Sequence, residues 1–252
     1  MEQIIRLPGV GIGPTTPKVS EPVVDLVEAE LDAALLHAAA HHADPLVRAT
    51  AAADPALGFD LQHVLLADAD VEVVRALMRN PNLVDTIQRT IVNEQRWDVL
   101  SELVRSDHFL LDLQYHCTDS RFWSIHADLA RNPALAIPIQ RQFAHSADVR
   151  VRACLAGNPN LDPDLHAVIA DDPDGGVRAE LAERAPLRRE LEERFADDFD
   201  LDVVIALAAN PHLRTETRDR LAAHGDTAVR DALAARGSTD DDDDVIDLRD
   251  AV

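Results

Sequence analysis

Histidine and cysteine side chains are the first candidates for chemistry in this sequence. His37 and His41 are four positions apart on a predicted helix, and His63 occupies the position equivalent to His37 in the next copy of a repeat described below. Such spacing can bring three imidazoles together, and imidazole is a zinc ligand. No nearby cysteine completes a ligand set, and alanines surround the histidines. We therefore predict no metal site and no cofactor.

A cysteine nucleophile is the second possibility. His116 directly precedes Cys117, but adjacent residues on a helix point in different directions. Cys117 also stands where the other copies of the repeat carry Leu, Ile or Phe. That position predicts a buried, unreactive thiol. The sequence contains neither a phosphate-binding loop nor a nucleophile elbow. We therefore predict that the protein is not an enzyme.

A column of glutamines is the sharper candidate, and its chemistry is binding. Four glutamines recur at one fixed interval, each followed by a polar or aromatic residue: Gln62-His63, Gln88-Arg89, Gln114-Tyr115 and Gln140-Arg141. A carboxamide has both donors and an acceptor, so it can pair with a peptide backbone of any sequence. The neighbouring Arg and Tyr would favour acidic or aromatic partner side chains. We expect an exposed ladder of these residues; the alternative is that they are ordinary residues of a solvated helix face.

Aromatic residues are concentrated in one quarter of the chain. Trp97 and Trp123 occupy the same position in consecutive copies of the repeat. The aromatic residues close to them in sequence are Phe109, Tyr115 and Phe122. Binding energy at protein interfaces concentrates on aromatic anchors. We therefore place the predicted partner-binding surface in residues 88–141, with bulkier core packing as the alternative explanation.

All these residues belong to a strict repeat with a period of twenty-six, present in eight copies without insertion or deletion. The copies begin at Val47, Val73, Val99, Ile125, Val151, Val177, Val203 and Val229. Four positions later stand Ala51, Leu77, Leu103, Leu129, Leu155, Leu181, Leu207 and Leu233. Ten positions after the first seven copies begin stand Leu57, Leu83, Phe109, Leu135, Leu161, Leu187 and Leu213. A period of this length indicates stacked supersecondary units, a class that generally binds rather than catalyses.

The fifth copy shows the pattern of one unit most clearly. Asp148 is a predicted N-cap for a helix over 149–157, and Asn158-Pro159 ends that helix. Asp162-Pro163 begins a second helix that extends to about residue 170. Asp recurs at the first cap as Asp44, Asp70, Asp148, Asp174, Asp200 and Asp226. The sequence thus predicts an all-α fold, an α-solenoid of about eight helix-pair repeats.

This pattern resembles the leucine-rich-repeat variant family, whose members are related to HEAT-type helical repeats. The residues that carry the resemblance are Val151-Arg152, Leu155-Ala156, Asn158-Pro159, Leu161 and Asp172-Pro173-Asp174. The similarity covers about residues 44–236 and implies an interaction scaffold whose partners differ between members. One member with an attached iron–sulfur domain carries a cysteine cluster. This sequence has two cysteines in different repeats, so that cofactor is not implied here.

Four segments are predicted along the chain. Residues 1–20 form a flexible arm and 21–43 an N-terminal capping helix. Residues 44–236 form the repeat array, and 237–252 form an acidic tail with five consecutive aspartates. The apolar residues after those aspartates leave open a second interpretation of the tail, as a short docking peptide.

Charge restricts the classes of partner. The chain has 24 Lys and Arg against 46 Asp and Glu, a net charge of −22. This acidity disfavours direct nucleic-acid binding and favours a basic partner, although salt adaptation also explains it. No apolar run is long enough for a membrane span or signal peptide, so we expect a cytoplasmic protein.

Taken together, these features predict a non-enzymatic scaffold that binds a protein or extended peptide along its second helices. Two alternatives stay open. One is an enzyme or enzyme accessory that holds a small molecule in the solenoid groove, and the other is an acidic mimic of nucleic acid.

Overall fold

The computed structural model describes residues 32–184 and 186–237, and all regular structure within these ranges is helical. Residues 32–40 form helix α1, which falls inside the predicted capping helix. The predicted N-terminal arm, the first part of the capping helix and almost all of the acidic tail lie outside the described residues.

The helices alternate between the first and the second helix of each repeat, so the predicted all-α repeat solenoid is confirmed. The first helices are α2 (Pro45–Ala52), α4 (Val71–Met78), α6 (Trp97–Val104), α8 (His126–Ala130), α10 (Val149–Ala156), α12 (Gly175–Arg184), α14 (Leu201–Ala209) and α16 (Thr227–Gly237). The second helices are α3 (Phe59–Leu66), α5 (Asp85–Asn93), α7 (Leu111–His116), α9 (Ile137–Ala144), α11 (His166–Ala170), α13 (Arg189–Ala196) and α15 (Thr215–Ala222). Short 3-10 turns, Ser120–Ile125 and Pro163–Leu165, precede α8 and α11.

Aspartate caps begin most of the first helices, as the sequence predicts. The Asp70 carboxylate accepts a hydrogen bond from the Glu72 N–H at 2.9 Å. Five other aspartates accept the same hydrogen bond from the N–H two residues later: Asp44, Asp148, Asp174, Asp200 and Asp226. Each cap satisfies a backbone N–H that has no partner within its helix. Six aspartates of the array therefore serve to begin its helices.

The core lies between the two layers of helices. Consecutive first helices pack against one another from α2 to α16, and most second helices contact the first helix of the following repeat. The residues of the predicted columns from Val73 to Val229 are buried. Because each unit buries its apolar face only against its neighbours, the stack is stabilised by nearest-neighbour interfaces.

A set of buried ion pairs joins the turns between repeats. Both Asp198 carboxylate oxygens accept hydrogen bonds from Arg178, at 2.9 and 2.8 Å. Arg178 also donates to the carbonyl of Asp172, in the preceding turn. Burial of the Asp198 carboxylate acts to raise its pKa. The Arg178 guanidinium and backbone hydrogen bonding act in the opposite direction and more strongly, so the pKa is lowered overall. Arg48 and Arg152 make the same pairing with Asp68 and Asp172.

The central turns depart from this pattern. Gln95 follows α5 with φ 53°, a left-handed conformation. The Gln95 N–H bonds to the Val92 carbonyl, and the Arg96 N–H bonds to the Ile91 carbonyl. These two bonds form a Schellman motif, which usually has glycine where Gln95 stands. Arg96, which takes the place of the usual aspartate before α6, makes no side-chain cap bond.

Candidate partner-binding surface

The predicted glutamine ladder is buried, so the expectation that it faces a partner is wrong. Gln62, Gln88, Gln114 and Gln140 are each 1 or 2 % exposed. Each side chain instead joins its own repeat to the next one. The carboxamide does pair with peptide backbone, as its chemistry suggested, but the backbone is that of the same chain.

Gln140 shows the arrangement that the four glutamines share. Its Nε2 donates to the carbonyl oxygens of Leu135 at 3.0 Å and of Asn160 at 3.1 Å. Its Oε1 accepts from the N–H of Asp162 at 2.8 Å. The equivalent bonds at the other three glutamines connect residues that are 5, 20 and 22 positions away. A single amide thus satisfies two carbonyls and one N–H at each junction.

Helix geometry explains why the glutamines face inward. Gln62 precedes the buried Leu65 by three positions, and residues three apart lie on one face of a helix. Our sequence interpretation gave the polar character of the side chain more weight than this spacing. The spacing was the signal that could have revealed the burial.

A second column of amides was assigned only a local role by the sequence. Asn158 is 5 % exposed, and its Nδ2 donates to the carbonyls of Ala130 and Asn132, both at 2.8 Å. Asn80 and Asn132 make the same two bonds to the repeat before them. The Asn-Pro pair therefore ends a helix and also fastens two repeats together.

The residue after each glutamine is exposed, as expected, but three of the four side chains are already engaged. Arg89 pairs with Asp112 at 2.5 Å, and Arg141 pairs with Asp162 at 3.5 Å. The His63 ring lies against that of Phe59 at a tilt of 45°, with ring centroids 4.3 Å apart. Tyr115 is 46 % exposed and keeps a solvent-facing ring. The two arginines are thus less available to an acidic partner than the sequence suggested.

Both tryptophans are exposed, at 43 % for Trp97 and 63 % for Trp123. They belong to a row of exposed apolar side chains that recurs at one position of the repeat, near the start of the first helices. This apolar row consists of Val71, Trp97, Trp123, Val149 and Leu201. Exposed apolar residues are common singly, but these recur on four consecutive units, from Val71 to Val149, before Gly175 interrupts the row ahead of Leu201. The sequence pointed to the two tryptophans and missed the row that contains them.

An aromatic cluster supports the centre of this row. Phe122 is 1 % exposed, and its ring lies 5.8 Å from that of Trp97 and 5.3 Å from that of His116. The cluster connects the third repeat to the turn before α8. Aromatic rings at such separations attract one another beyond the area they bury. Trp97 is therefore held by packing on one side while its other side meets solvent.

The charges beside the row occur as pairs of arginine and aspartate. Arg96 pairs with Asp98 at 3.0 Å, and Arg150 pairs with Asp148 at 2.7 Å. The pKa values of both aspartates are lowered, chiefly by these hydrogen bonds. Both aspartates therefore stay ionised at neutral pH, and each neighbouring cation is matched by a carboxylate.

The cysteine and histidine side chains that the sequence suggested for chemistry are not brought together into one site. Cys117 is buried, as predicted, and burial raises its pKa to about 12, so the thiol stays protonated. His37 stacks on His41, while His63 contacts Phe59. Within residues 32–184 and 186–237, no three His, Cys, Asp or Glu side chains are placed to share a metal ion.

Comparison with known proteins gives no family: no family model matches the chain, and no curated protein matches it. The resemblance to the leucine-rich-repeat variant family therefore stays a prediction. Among the helices of the described ranges, none combines the length and apolarity that a membrane crossing requires.

Proposed function

We propose that this protein is a non-enzymatic binding module that holds a protein or extended peptide against its apolar row. The observation that carries the proposal is the exposure of apolar side chains at one position of successive repeats, with two tryptophans at its centre. Trp is enriched among residues that dominate binding energy. Equal spacing along a stack suits an extended segment, which can meet several units in sequence.

The partner segment that fits this surface carries apolar and basic side chains. Apolar groups would cover the row, and the faces of Trp97 and Trp123 attract cations. The net charge of −22 favours the same partner. This differs from the acidic partner suggested by Arg89 and Arg141, because those arginines are paired within the chain.

The alternative function, an acidic mimic of nucleic acid, has less support than the binding module. A mimic needs free carboxylates in a regular double row, whereas the recurrent aspartates of the first helices cap backbone N–H groups. Their spacing follows the helix starts of the repeat and is explained by local structure.

A peptide-display experiment tests the binding module. A random dodecapeptide library is selected on the full chain, and affinities of enriched peptides are then compared with the Trp97→Ala/Trp123→Ala variant. We expect enrichment of peptides with apolar and basic residues, and a loss of affinity on the order of 10-fold or more in the variant.

Leu201→Ala is the matched control. It removes an exposed apolar residue from the same row, three repeats after Trp123 and outside the aromatic centre. Affinity should change little, and circular dichroism should show that both variants are folded. A third variant, Arg89→Ala/Tyr115→Ala, tests the second-helix surface separately. If the selected peptides bind the tryptophan variant as well as the native protein, the apolar row is not the binding surface.

A further inference from the structure

The two amides that join neighbouring repeats are both replaced between the fifth and sixth repeats, and again between the seventh and eighth, where Arg218 and Arg236 stand. His166 stands where a glutamine is expected, one repeat after Gln140. Arg184 stands where an asparagine is expected, one repeat after Asn158. The other junctions of the first seven repeats keep at least one of these amides, namely Gln62, Asn80, Gln88, Gln114, Asn132, Gln140, Asn158 or Asn210. The fifth and sixth repeats are therefore joined without either amide.

The replacement of asparagine leaves two carbonyls without their usual partner. At the preceding junction, Nδ2 of Asn158 donates to the last residue of a first helix and to the corner residue two positions later. The equivalent carbonyls at the next junction belong to Ala156 and Asn158. Arg184 donates to neither; its guanidinium lies 3.5 Å from the carboxylate of Glu180.

The replacement of glutamine by His166 likewise leaves a backbone N–H without its usual side-chain partner. At the preceding junction, Oε1 of Gln140 accepts from the Asp162 N–H. The equivalent N–H belongs to Arg188, which immediately precedes helix α13, and α13 begins without a side-chain cap. His166 supplies no such acceptor bond to Arg188 in the described part of the chain. The N-terminal end of α13 is therefore open to a ligand.

A cleft of 490 Å³ lies at this junction, and His166, Arg184 and Arg188 line it. Prolines from the corners of both repeats form part of its wall. The volume is in the range of ligand sites for small molecules. The cleft thus occupies a place where both amide fastenings are missing.

His166 gives independent support for a ligand. It is 7 % exposed, lines the cleft, and its imidazole forms no hydrogen bond with the described residues. Burial and then the nearby Arg188 lower its pKa, so the ring is neutral at pH 7. A neutral imidazole presents one N–H donor. The ring nitrogens are not enclosed by protein atoms, so they are available to a ligand in the cleft.

The charge of the cleft differs from that of the rest of the molecule. Arg188 is exposed and forms no ion pair with the described residues. Asp162, the carboxylate that lines the cleft, caps the Asp164 N–H and lies 3.5 Å from Arg141. At physiological ionic strength charges more than about 8 Å away are largely screened. Within this range Arg184 is balanced by Glu180, and Asp162 by Arg141, so Arg188 is the unmatched charge at the cleft.

We propose that this cleft binds a carboxylate group, supplied either by a small organic acid or by an acidic side chain of a peptide. Arg188 provides the main cationic contact and Arg184, beside Glu180, a weaker one, and guanidinium groups recognise carboxylates with paired hydrogen bonds. The open N–H of Arg188 and the ring N–H of His166 provide further donors. A carboxylate also suits the uncapped N-terminus of α13.

This site goes beyond the apolar row and does not depend on it. It lies at the corners between first and second helices of the fifth and sixth repeats, whereas the tryptophans belong to the third and fourth. The Trp97→Ala/Trp123→Ala variant should therefore keep its carboxylate binding. Failure of one proposal leaves the other standing.

A titration of the full chain followed by NMR of the histidine side chains tests the proposal. The probes are glutarate, the peptide acetyl-Ala-Glu-Ala-amide and its neutral counterpart acetyl-Ala-Gln-Ala-amide. We expect glutarate or the Glu peptide to shift the His166 imidazole resonances at concentrations at least 10-fold lower than the Gln peptide. Binding of glutarate indicates a small acid as the source of the carboxylate, and binding of the Glu peptide alone indicates a peptide.

Two variants make the test decisive. Arg188→Ser removes an exposed cation and keeps the backbone N–H, so binding should weaken by about 10-fold or more in a folded protein. Arg189→Ser is its matched control, because Arg189 is exposed and paired with Glu193 at 2.8 Å. The double variant His166→Gln/Arg184→Asn restores both amides and should abolish binding. The proposal is overturned if neither acidic probe shifts His166, or if Arg188→Ser binds as tightly as Arg189→Ser.

Discussion

Single residues of the same type have very different roles in this chain, and Gln140 and Gln142 show the contrast on one helix. Gln140 is buried and bonded to three backbone groups, whereas Gln142 is exposed. The two positions differ in the face of α9 that they occupy. Their comparison isolates the contribution of the buried amide.

Gln140→Ala should lower the free energy of unfolding by about 2 kcal/mol or more. The substitution leaves the Asp162 N–H and two carbonyls without a buried partner, and each such group costs about 1–3 kcal/mol. Gln142→Ala should change stability by less than about 0.5 kcal/mol. Urea unfolding followed by circular dichroism measures both. Equal stabilities would mean that water replaces the Gln140 amide.

Buried charge at the inter-repeat turns gives a second prediction. Arg178→Ala leaves Asp198 buried without its cation, and breaking such a pair costs about 3–5 kcal/mol. Arg189→Ala removes an exposed guanidinium from an ion pair and should leave stability almost unchanged. Thermal unfolding at pH 7 separates the two variants.

The same pair gives a pH dependence with a definite sign. The folded-state pKa of Asp198 is lowered, so its contribution to stability is present above the unfolded pKa of about 3.9 and is lost as pH falls through the folded pKa. In Arg178→Ala, burial without the cation raises that pKa instead. The stability difference between native protein and variant should therefore shrink below about pH 4. A constant difference would contradict this assignment.

Among the elements, the turn between α5 and α6 differs most from its equivalents. Gln95 occupies the left-handed position of the Schellman motif, which costs a non-glycine residue about 1–2 kcal/mol. Gln95→Gly should raise the free energy of unfolding by about 0.5–1 kcal/mol, after the greater freedom of glycine in the unfolded chain is included.

Gln95→Val is the opposite test at this turn. A β-branched residue is poorly suited to a positive φ, so it should destabilise the protein relative to Gln. Chemical unfolding of the three proteins should rank Gly, Gln and Val in decreasing stability. Any other order would mean that the turn relaxes to a different conformation.

The sequence predicted the elements well where the signal was local. The aspartate caps and the helix ends before proline depend on residues within four positions of one another, such as Asp148 with Arg150. The Gln140 and Asn158 fastenings depend on partners in the neighbouring repeat, 20 to 28 positions away. Their inward orientation requires the stacking of two units, which the pattern of one unit does not specify.

The whole molecule carries a net charge of −22, and this charge acts against compact folding through repulsion between carboxylates. The free energy of unfolding should rise between 0.05 and 1 M NaCl, because the screening length falls from above about 10 Å to about 3 Å. Unfolding by urea, which is uncharged, at several salt concentrations measures the effect.

A neutralised variant controls for other effects of salt. Glu94, Glu183 and Asp219 are exposed and form no ion pair within the described residues. Replacing them with Gln, Gln and Asn should stabilise the protein at low salt and have little effect at 1 M. An equal gain at both concentrations would point to a cause other than charge repulsion.

The repeat, its helix pairs, the caps and the apolar columns could all be predicted from the sequence. This is possible because these features come from periodic spacing and from contacts within one turn of chain. Which polar side chains face inward, which exposed residues form a row and where a cleft opens depend on how the repeats pack against one another. Gln140 and His166 occupy the same position of the repeat. The stack brings a backbone N–H of the next unit to both positions; the Gln140 amide bonds to it, whereas the His166 imidazole does not and lines a cleft.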